Sequence, residues 1–461
     1  MHKKLIALAV AALLAGCAHG PAERAPDIVP PAAWTLASGD VKPDWSGLLD
    51  ATLADLQDRA LTANRDIAQA AQRWQQARLL QQQGELRLVP SAGLNFSASR
   101  PVETQSSTRN VDIGGGVIVP VTTSTGWSRS YGSSVGLGYE LDLWDRLAQS
   151  QVAQRAQTEI ARTDIDAARL SIRSQVADAY WSLAALRAQR PLAEAQLALT
   201  RETLELTRAR VREGKLLPIE IDKIALTVQA AENRLADNAA DSVLQRHRLA
   251  LLLAEPLPGP APDAVLPAAA PPQWRLADPA DVLARRPDVQ RARLAVDAAL
   301  AGLRAREAER YPRLSFSASL GAGGAQVRDW FANPALSLGA NLAIPLIDWR
   351  RLALQRDGAR SDLELAALSL RDALDKAQAD IETQRIEAQR LAEQLAANAG
   401  RLREATENER LATLRYEVGT ISRADWLQVK SARLDAEQGS IQLRLQQWQR
   451  QALLFKALGG A

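Results

Sequence analysis

From Tyr131 to Leu143 the chain alternates. Tyr131, Val135, Leu137, Tyr139, Leu141 and Leu143 fall on one face, interrupted only by Ser133, while Gly132, Ser134, Gly136, Gly138, Glu140 and Asp142 fall on the other. A period of two marks a β-strand with one apolar face and one small, polar face. Three further runs obey the same rule. Leu94, Phe96 and Ala98 alternate with Asn95, Ser97 and Ser99; Leu314, Phe316, Ala318 and Leu320 alternate with Arg313, Ser315, Ser317 and Ser319; Leu336, Leu338, Ala340, Leu342 and Ile344 alternate with Ser337, Gly339, Asn341 and Ala343. The pattern predicts four strands of about 10 to 13 residues in two hairpins, spanning roughly 88–143 and 311–347. Residues 103–130, rich in Ser, Thr and Gly, are predicted to be the loop of the first.

Elsewhere the apolar spacing is helical. Helices are predicted over 48–87, 146–213 (with the pattern disturbed near Pro191), 219–254, 279–310, 350–418 and 421–456. The two long ones would each extend about 100 Å at 1.5 Å per residue. In the second half of the chain the two shorter helices together match the long one, so end-to-end stacking beside it is expected. The helical apolar positions are small and Ala-rich, as in Ala225, Leu226, Val228, Ala231 and Leu235. That suits close lateral packing in a curved wall of coiled-coil helices.

The order strand, strand, long helix, return helix occurs twice. Asp288-Val289 follows Asp66-Ile67, and Pro312 follows Pro90, at one fixed spacing; Trp349 follows Trp144, and Gly419 follows Gly214, at another. Unrelated helical segments would not keep register over some seventy residues, so the chain is a tandem duplication. The predicted organisation is a signal peptide (1–16), an N-terminal tether (17–46), a first repeat (47–254), a Pro-rich connector (255–278) and a second repeat (279–461).

Composition changes the picture in two places. The single cysteine, Cys17, closes Leu14-Ala15-Gly16-Cys17 after a basic start and an apolar run too short to span a bilayer. This resembles the bacterial lipoprotein signal, which makes Cys17 the predicted site of lipid attachment. Ala18, where Asp would favour inner-membrane retention, fits the outer membrane. The formal charge of +3 includes Lys3 and Lys4, which leave with the signal peptide, and Arg and Glu are interspersed along the helices. That is solvated helix surface and argues against nucleic acid as a partner.

A tilted strand of about 9 to 11 residues spans a bilayer, and the aromatics near the strand ends fit transmembrane barrel strands. Four strands cannot close a barrel, and open edges in lipid leave backbone groups unpaired. Copies of the chain must supply the rest: two give eight strands, three give twelve. The inward residues, mostly Gly and Ser, are too small to plug the lumen, which favours the wider tube. The expected class is mainly α with a small β part: a trimeric α-barrel of long helices joined to a twelve-stranded transmembrane β-barrel, four strands per chain.

The lipobox, the run VLARRPDVQRA (282–292), the junctions ELDLWDR (140–146) and PLIDWRR (345–351), and the turns REGKLLPIEI and YEVGTISRADW together resemble the TolC-like outer membrane efflux factors, in their lipoprotein (OprM/NodT-type) branch. The resemblance implies a non-catalytic homotrimer in the outer membrane. Docked to a periplasmic adaptor and an inner-membrane pump of the resistance-nodulation-division class, it conducts drugs or small molecules outward. It implies adaptor-contacting tips at Gly214, Lys215 and Leu216 and at Gly419, Thr420 and Ile421. It also implies a periplasmic gate of acidic rings at Glu220 and Asp425. This chain departs from the usual tips: Val211 stands where an aromatic is common, and Ile421 replaces a basic residue, with Arg423 two positions on. A helix-start acid stabilised by the macrodipole accounts for the same two carboxylates.

No catalytic or metal-ligating set can be assembled. His2 and His19 precede the first repeat and His247 is isolated on a helix, so neither a metal site nor a Ser/His/Asp arrangement is available, and no cofactor is expected. A periplasmic adaptor would show one helical hairpin between soluble β domains, and a coiled-coil scaffold would not need amphipathic strands. The alternative within the family is the outer-membrane component of a type I protein secretion system.

Overall fold

The computed structural model describes residues 34, 45–48, 50–100, 106–114, 117–124, 129–272 and 278–460. The signal peptide and Cys17 lie outside them. The chain forms two compact units, and each takes segments from both copies of the duplication.

Among the described residues, the first unit comprises 76–158 and 295–366. Its centre is an antiparallel sheet of β1 (Ser91–Ser99), β4 (Ser130–Leu141), β5 (Arg313–Gly324) and β6 (Ala335–Ala343), in the order β1-β4-β5-β6. The register keeps the alternation intact across all four strands. Leu94 lies opposite Val135, Val135 opposite Leu320, and Leu320 opposite Leu336; Leu314 lies between Leu141 and Leu342. One face is therefore aliphatic and aromatic, and the other is built of Ser and Gly. Leu94, Phe96, Val135, Leu137, Phe316, Leu320, Leu336, Leu338 and Leu342 are all exposed. Among the described residues β1 and β6 are each paired on one side only.

The predicted loop at 103–130 is corrected here. It holds two more strands, β2 (Ser106–Asp112) and β3 (Ile118–Ser124), paired as a separate ribbon with Val111 opposite Val119 and Arg109 opposite Val121. The β-branched residues extend the first hairpin beyond the four-stranded sheet, and Ser, Thr and Gly obscured that tendency. Six strands, not four, are present among the described residues; four of them form the continuous sheet.

The strand–helix junction explains the ELDLWDR run. Arg146 pairs with Glu140 at 2.7 Å, and Asp142 Oδ2 accepts from the amide of Ala148 at 2.8 Å, capping α3 (Arg146–Arg212). Trp144 stacks on Tyr311 with centroids 4.8 Å apart, and its Nε1 donates to the Pro312 carbonyl at 2.9 Å. At the corresponding junction of the second copy, α7 spans Trp349–Glu417, and Trp349 is 66% exposed.

Among the described residues, the second unit comprises 34, 45–48, 50–75, 159–272, 278–294 and 367–460, including most of α3 and α7. Two predicted helices are broken here. The run 48–87 becomes α1 (Ala51–Ala63) and α2 (Arg65–Glu85). Asn64 is extended; its Oδ1 accepts from Asp66 N at 2.9 Å, and its Nδ2 donates to the Leu252 carbonyl at 2.9 Å. One side chain thus starts α2 and ties it to α4 (Ile219–Leu253). The run 279–310 becomes α5 (Pro279–Arg285) and α6 (Pro287–Ala308), because the residue before Pro287 is forced out of the helical region. α3, by contrast, continues through Pro191.

The core of this unit joins both copies. Leu53, Leu56 and Ala60 of α1, Ile172, Tyr180 and Trp181 of α3, and Leu249 and Leu253 of α4 meet Trp448 and Phe455 of α8 (Arg423–Ala457). Trp181 and Trp448 lie 5.4 Å apart, and Trp45 and Phe455 lie 4.6 Å apart. Trp45 is buried and donates to Gln57 Oε1 at 2.6 Å, and Trp34 is also buried. The tether expected through residue 46 therefore gives way to packed chain by Trp45, whose indole would be costly to leave in water.

Tyr180 donates to Asp50 Oδ2 at 2.6 Å, while Asp50 Oδ1 caps α1 through Leu53 N at 2.7 Å. Burial, reinforced by the hydrogen bond to this carboxylate, pushes the Tyr180 hydroxyl up from 10.0 to about 12. The folded state thus holds this proton more tightly than the unfolded chain. The stability this contributes is complete below pH 10 and is lost as pH rises through 12. In an alkaline titration followed by circular dichroism, Tyr180→Phe is expected to remove that part of the alkaline unfolding.

Candidate functional site

At the end of α3, Gly214 adopts φ +69°, its amide donates to Val211 O at 2.9 Å, and Lys215 N donates to Arg210 O at 2.9 Å. At the end of α7, Gly419 adopts φ +73°, its amide donates to Tyr416 O at 2.9 Å, and Thr420 N donates to Arg415 O at 2.8 Å. These are the same Schellman closure in both copies. Nothing crowds either glycine, so the left-handed backbone alone demands it. Gly419→Ala is expected to cost about 1 kcal/mol. Amide exchange at Thr420 should then speed about fivefold by mass spectrometry.

The two tips differ beyond the turn. The first is apolar and exposed: Leu216, Leu217 and Ile219 face solvent, and Lys215 pairs with Glu213 at 2.8 Å. Glu220, in the first turn of α4, pairs with Lys223 at 2.7 Å. The second tip is braced. Ser422 and Asp425 form a reciprocal capping box, with Ser422 Oγ donating to Asp425 Oδ2 at 2.7 Å and accepting from Asp425 N at 3.2 Å. Hydrogen bonds from the Ser422 hydroxyl, then from its amide, hold the Asp425 carboxyl below the usual carboxylate range. Its contribution to the helix start is present above that range and is lost only as pH falls through the depressed value.

Tyr416 stacks on Trp426 with centroids 5.2 Å apart and planes 12° from parallel; Trp426 Nε1 donates to Thr413 Oγ1 at 3.0 Å. Lys430 Nζ lies 5.0 Å from the Trp426 ring centroid. Arg423 forms an ion pair with Glu202 of α3, fastening the return helix of one copy to the long helix of the other. Leu199, Leu427 and Leu434 pack behind this pair. Between α7 and α8 a groove of about 500 Å³ is lined by Glu404, Asn408, Arg415, Ile421, Asp425 and Val429, among others. Of the expected tip and gate residues it includes Ile421 and Asp425, and not Glu220.

The Ser422/Asp425 box was missed, although Ser-x-x-Asp before a helical run is its signal. The Tyr416–Trp426 stack and the Arg423–Glu202 pair have no such signal, because the first joins residues across a turn and the second joins distant copies. Among the described residues no three His, Cys, Asp or Glu side chains could hold a metal ion, and no helix is long and apolar enough to cross a membrane.

A sequence model of the family "outer membrane efflux protein" matches residues 56–255 and 279–460. The pyoverdine export outer membrane protein OpmQ of Pseudomonas aeruginosa is 28% identical, over 99% of this chain and 97% of that protein. The toluene efflux pump outer membrane protein TtgC of Pseudomonas putida is 25% identical, over 100% and 96%. Among solved structures, the open state of the Neisseria gonorrhoeae MtrE outer membrane channel superimposes with a TM-score of 0.79 at 23% identity, covering 96% of this chain and 98% of that one. At that identity the likeness is one of fold.

Proposed function

Since the chain belongs to the outer membrane efflux protein family and is an exit duct of that membrane, we propose that three copies close one twelve-stranded barrel. The observation that carries this reading is the sheet: an apolar face broken only by Ser133, a face rich in Ser and Gly, and two edges unpaired among the described residues. In lipid those edges need partners. β6 of one copy on β1 of the next supplies them.

The duplication supports that arrangement. Within the chain Trp144, after β4, clasps Tyr311 and Pro312 at the start of β5. Its counterpart Trp349 follows β6, and the counterpart of Pro312 is Pro90, just before β1. These sit at opposite edges of one sheet and come together only between copies. The exposed Trp349 can then reach the Pro90 carbonyl of the neighbouring chain, where Val89 stands in place of Tyr311.

The duct has no catalytic activity; it lets cargo pass after docking to a periplasmic adaptor and an inner-membrane transporter of the resistance-nodulation-division class. The tips around Gly214, Lys215 and Leu216 and around Gly419, Thr420 and Ile421 meet the adaptor. A diacylated Cys17 adds a membrane anchor. Pyoverdine and toluene, named for two relatives, are small molecules, which favours small-molecule export over protein secretion as the role of this chain.

Glu220 and Asp425, repeated three times, ring the periplasmic mouth with negative charge. Because Ser422 keeps Asp425 ionised at lower pH, the Asp425 positions of that ring keep their charge in mild acid. In planar bilayers, combining Glu220→Gln with Asp425→Asn is expected to raise single-channel conductance or weaken cation preference. Unchanged currents would place the constriction elsewhere, and a failure of the unaltered protein to form channels would remove the duct reading altogether.

A further inference from the structure

The sheet's apolar face has one polar interruption, Ser133, and its partner comes from outside the sheet. Ser133 Oγ donates to the carbonyl of Trp330 at 2.6 Å. Trp330 belongs to a short 3-10 turn, Val327–Phe331, between β5 and β6. That turn does not stay over its own strands. Its indole lies 6.0 Å from Phe96 of β1 and 6.0 Å, edge-on, from Tyr131 of β4, and Nε1 reaches the Ser97 carbonyl at 3.4 Å. Phe96, Tyr131 and Ser133 all project from the apolar face, so the turn is folded back across that face at the hairpin end.

The fold-back is built in. Gly323 N donates to the Ala332 carbonyl at 2.8 Å. A Cβ on Gly324 would come within 2.5 Å of the Asp329 Cβ. Asp329 in turn closes a capping box with Gln326. What the turn then presents is apolar: Val327 and Phe331 are exposed, Phe331 at 75%, beside Arg328.

We propose that Val327–Phe331 is a lipid-interface anchor, seating Trp330, Phe331 and Val327 at the boundary between acyl chains and headgroups of the outer leaflet. This rests on the reading that the sheet's apolar face meets lipid. The turn lies at the strand ends opposite the helices, which places it at the outer surface. An amphipathic ring with a polar edge suits that boundary. The exposed Arg328 guanidinium, 3.8 Å from the Asp329 carboxylate, matches the negative charge of headgroup phosphates. Ser133 interrupts the apolar face because the Trp330 carbonyl, laid against lipid, needs a donor there. The surface is continuous with Leu336 and Leu338 of β6, which are exposed on the same face of the sheet.

The test uses the full-length protein in lipid vesicles, with a spin label at Phe331→Cys or at Leu338→Cys and the unsubstituted protein as the blank for Cys17. Collision with oxygen, which partitions into lipid, is compared with collision with a water-soluble nickel chelate. Both labels are expected to favour oxygen, with residue 331 at the shallower depth. Nickel access at 331 with Leu338 still in lipid overturns the anchor. Shielding of 331 from both reagents also overturns it and assigns the turn to a neighbouring copy. Nickel access at Leu338 sinks the underlying membrane reading instead. Ser133→Val should produce a severalfold rise in nickel access at 331, whereas Ser133→Thr, which keeps the hydroxyl, should not. Equal behaviour of these two variants would show that the hydroxyl does not hold the turn.

Discussion

Leu338→Arg is expected to prevent the proposed trimer, read as a heat-resistant band in outer-membrane extracts, while Ser337→Arg, one residue away, leaves it intact. Leu338 sits in the middle of β6, opposite Ala318, and is 77% exposed on the apolar face. A guanidinium at that depth costs about 2–4 kcal/mol in a barrel facing lipid, and in the proposed trimer three copies carry the cost together. Ser337 lies on the other face, opposite Ser319, where a charged side chain points into water. There the expected effect is on conductance alone. Heated and unheated samples compared on denaturing gels distinguish the two variants. Equal loss of the trimer from both would mean that β6 needs small residues for packing, and equal tolerance would mean that the apolar face does not meet lipid.

Arg286→Ala is expected to open the junction between α5 and α6 and fray the end of α8. Arg286 is nearly buried and donates to four acceptors. Nε and Nη2 bind Asp288 bidentately at 3.0 and 2.7 Å, and Nη1 reaches Asp380 at 3.2 Å and the Ala457 carbonyl at 2.6 Å. The last contact caps the negative end of α8 with a fixed cation. Burial opposes ionisation of Asp288, yet the paired bonds from Arg286 outweigh it and hold the carboxyl below its ordinary range. Truncation leaves one carbonyl and two carboxylates without this donor. The expected loss is about 3 kcal/mol, the low end for breaking a buried pair, because both carboxylates keep some water. That is on the order of a hundredfold faster amide exchange around 286–290 and 455–460. Arg286→Lys should recover part of the protection, since an ammonium cannot make the bidentate contact. In the unaltered protein the clamp should persist in mild acid and weaken only as pH falls through the depressed Asp288 value.

The periodicities carried most of the architecture. A period of two places every side chain of a strand on one of two faces, so the apolar face could be written from the sequence before any register was known. The spacing between copies likewise located both turns, because Gly214 and Gly419 are demanded by a backbone conformation local to a few residues. The same local logic made Asp425 recognisable at a helix start. Where the local signal was weak, expectation and structure parted. Asn64 breaks a helix whose apolar spacing runs through it, and the β2–β3 ribbon hides in Ser, Thr and Gly; at Pro287 the local signal was strong, but the apolar spacing carried the expected helix past it. Some residues act through partners more than a hundred positions away: Arg423 through Glu202, Tyr180 through Asp50, Ser133 through Trp330. Short-range spacing is imprinted on a linear chain by the geometry of one helix or one strand, and so survives in the order of residues. Pairings between distant copies depend on how whole elements pack, and packing selects a shape and a charge at each position without marking which other position will meet it.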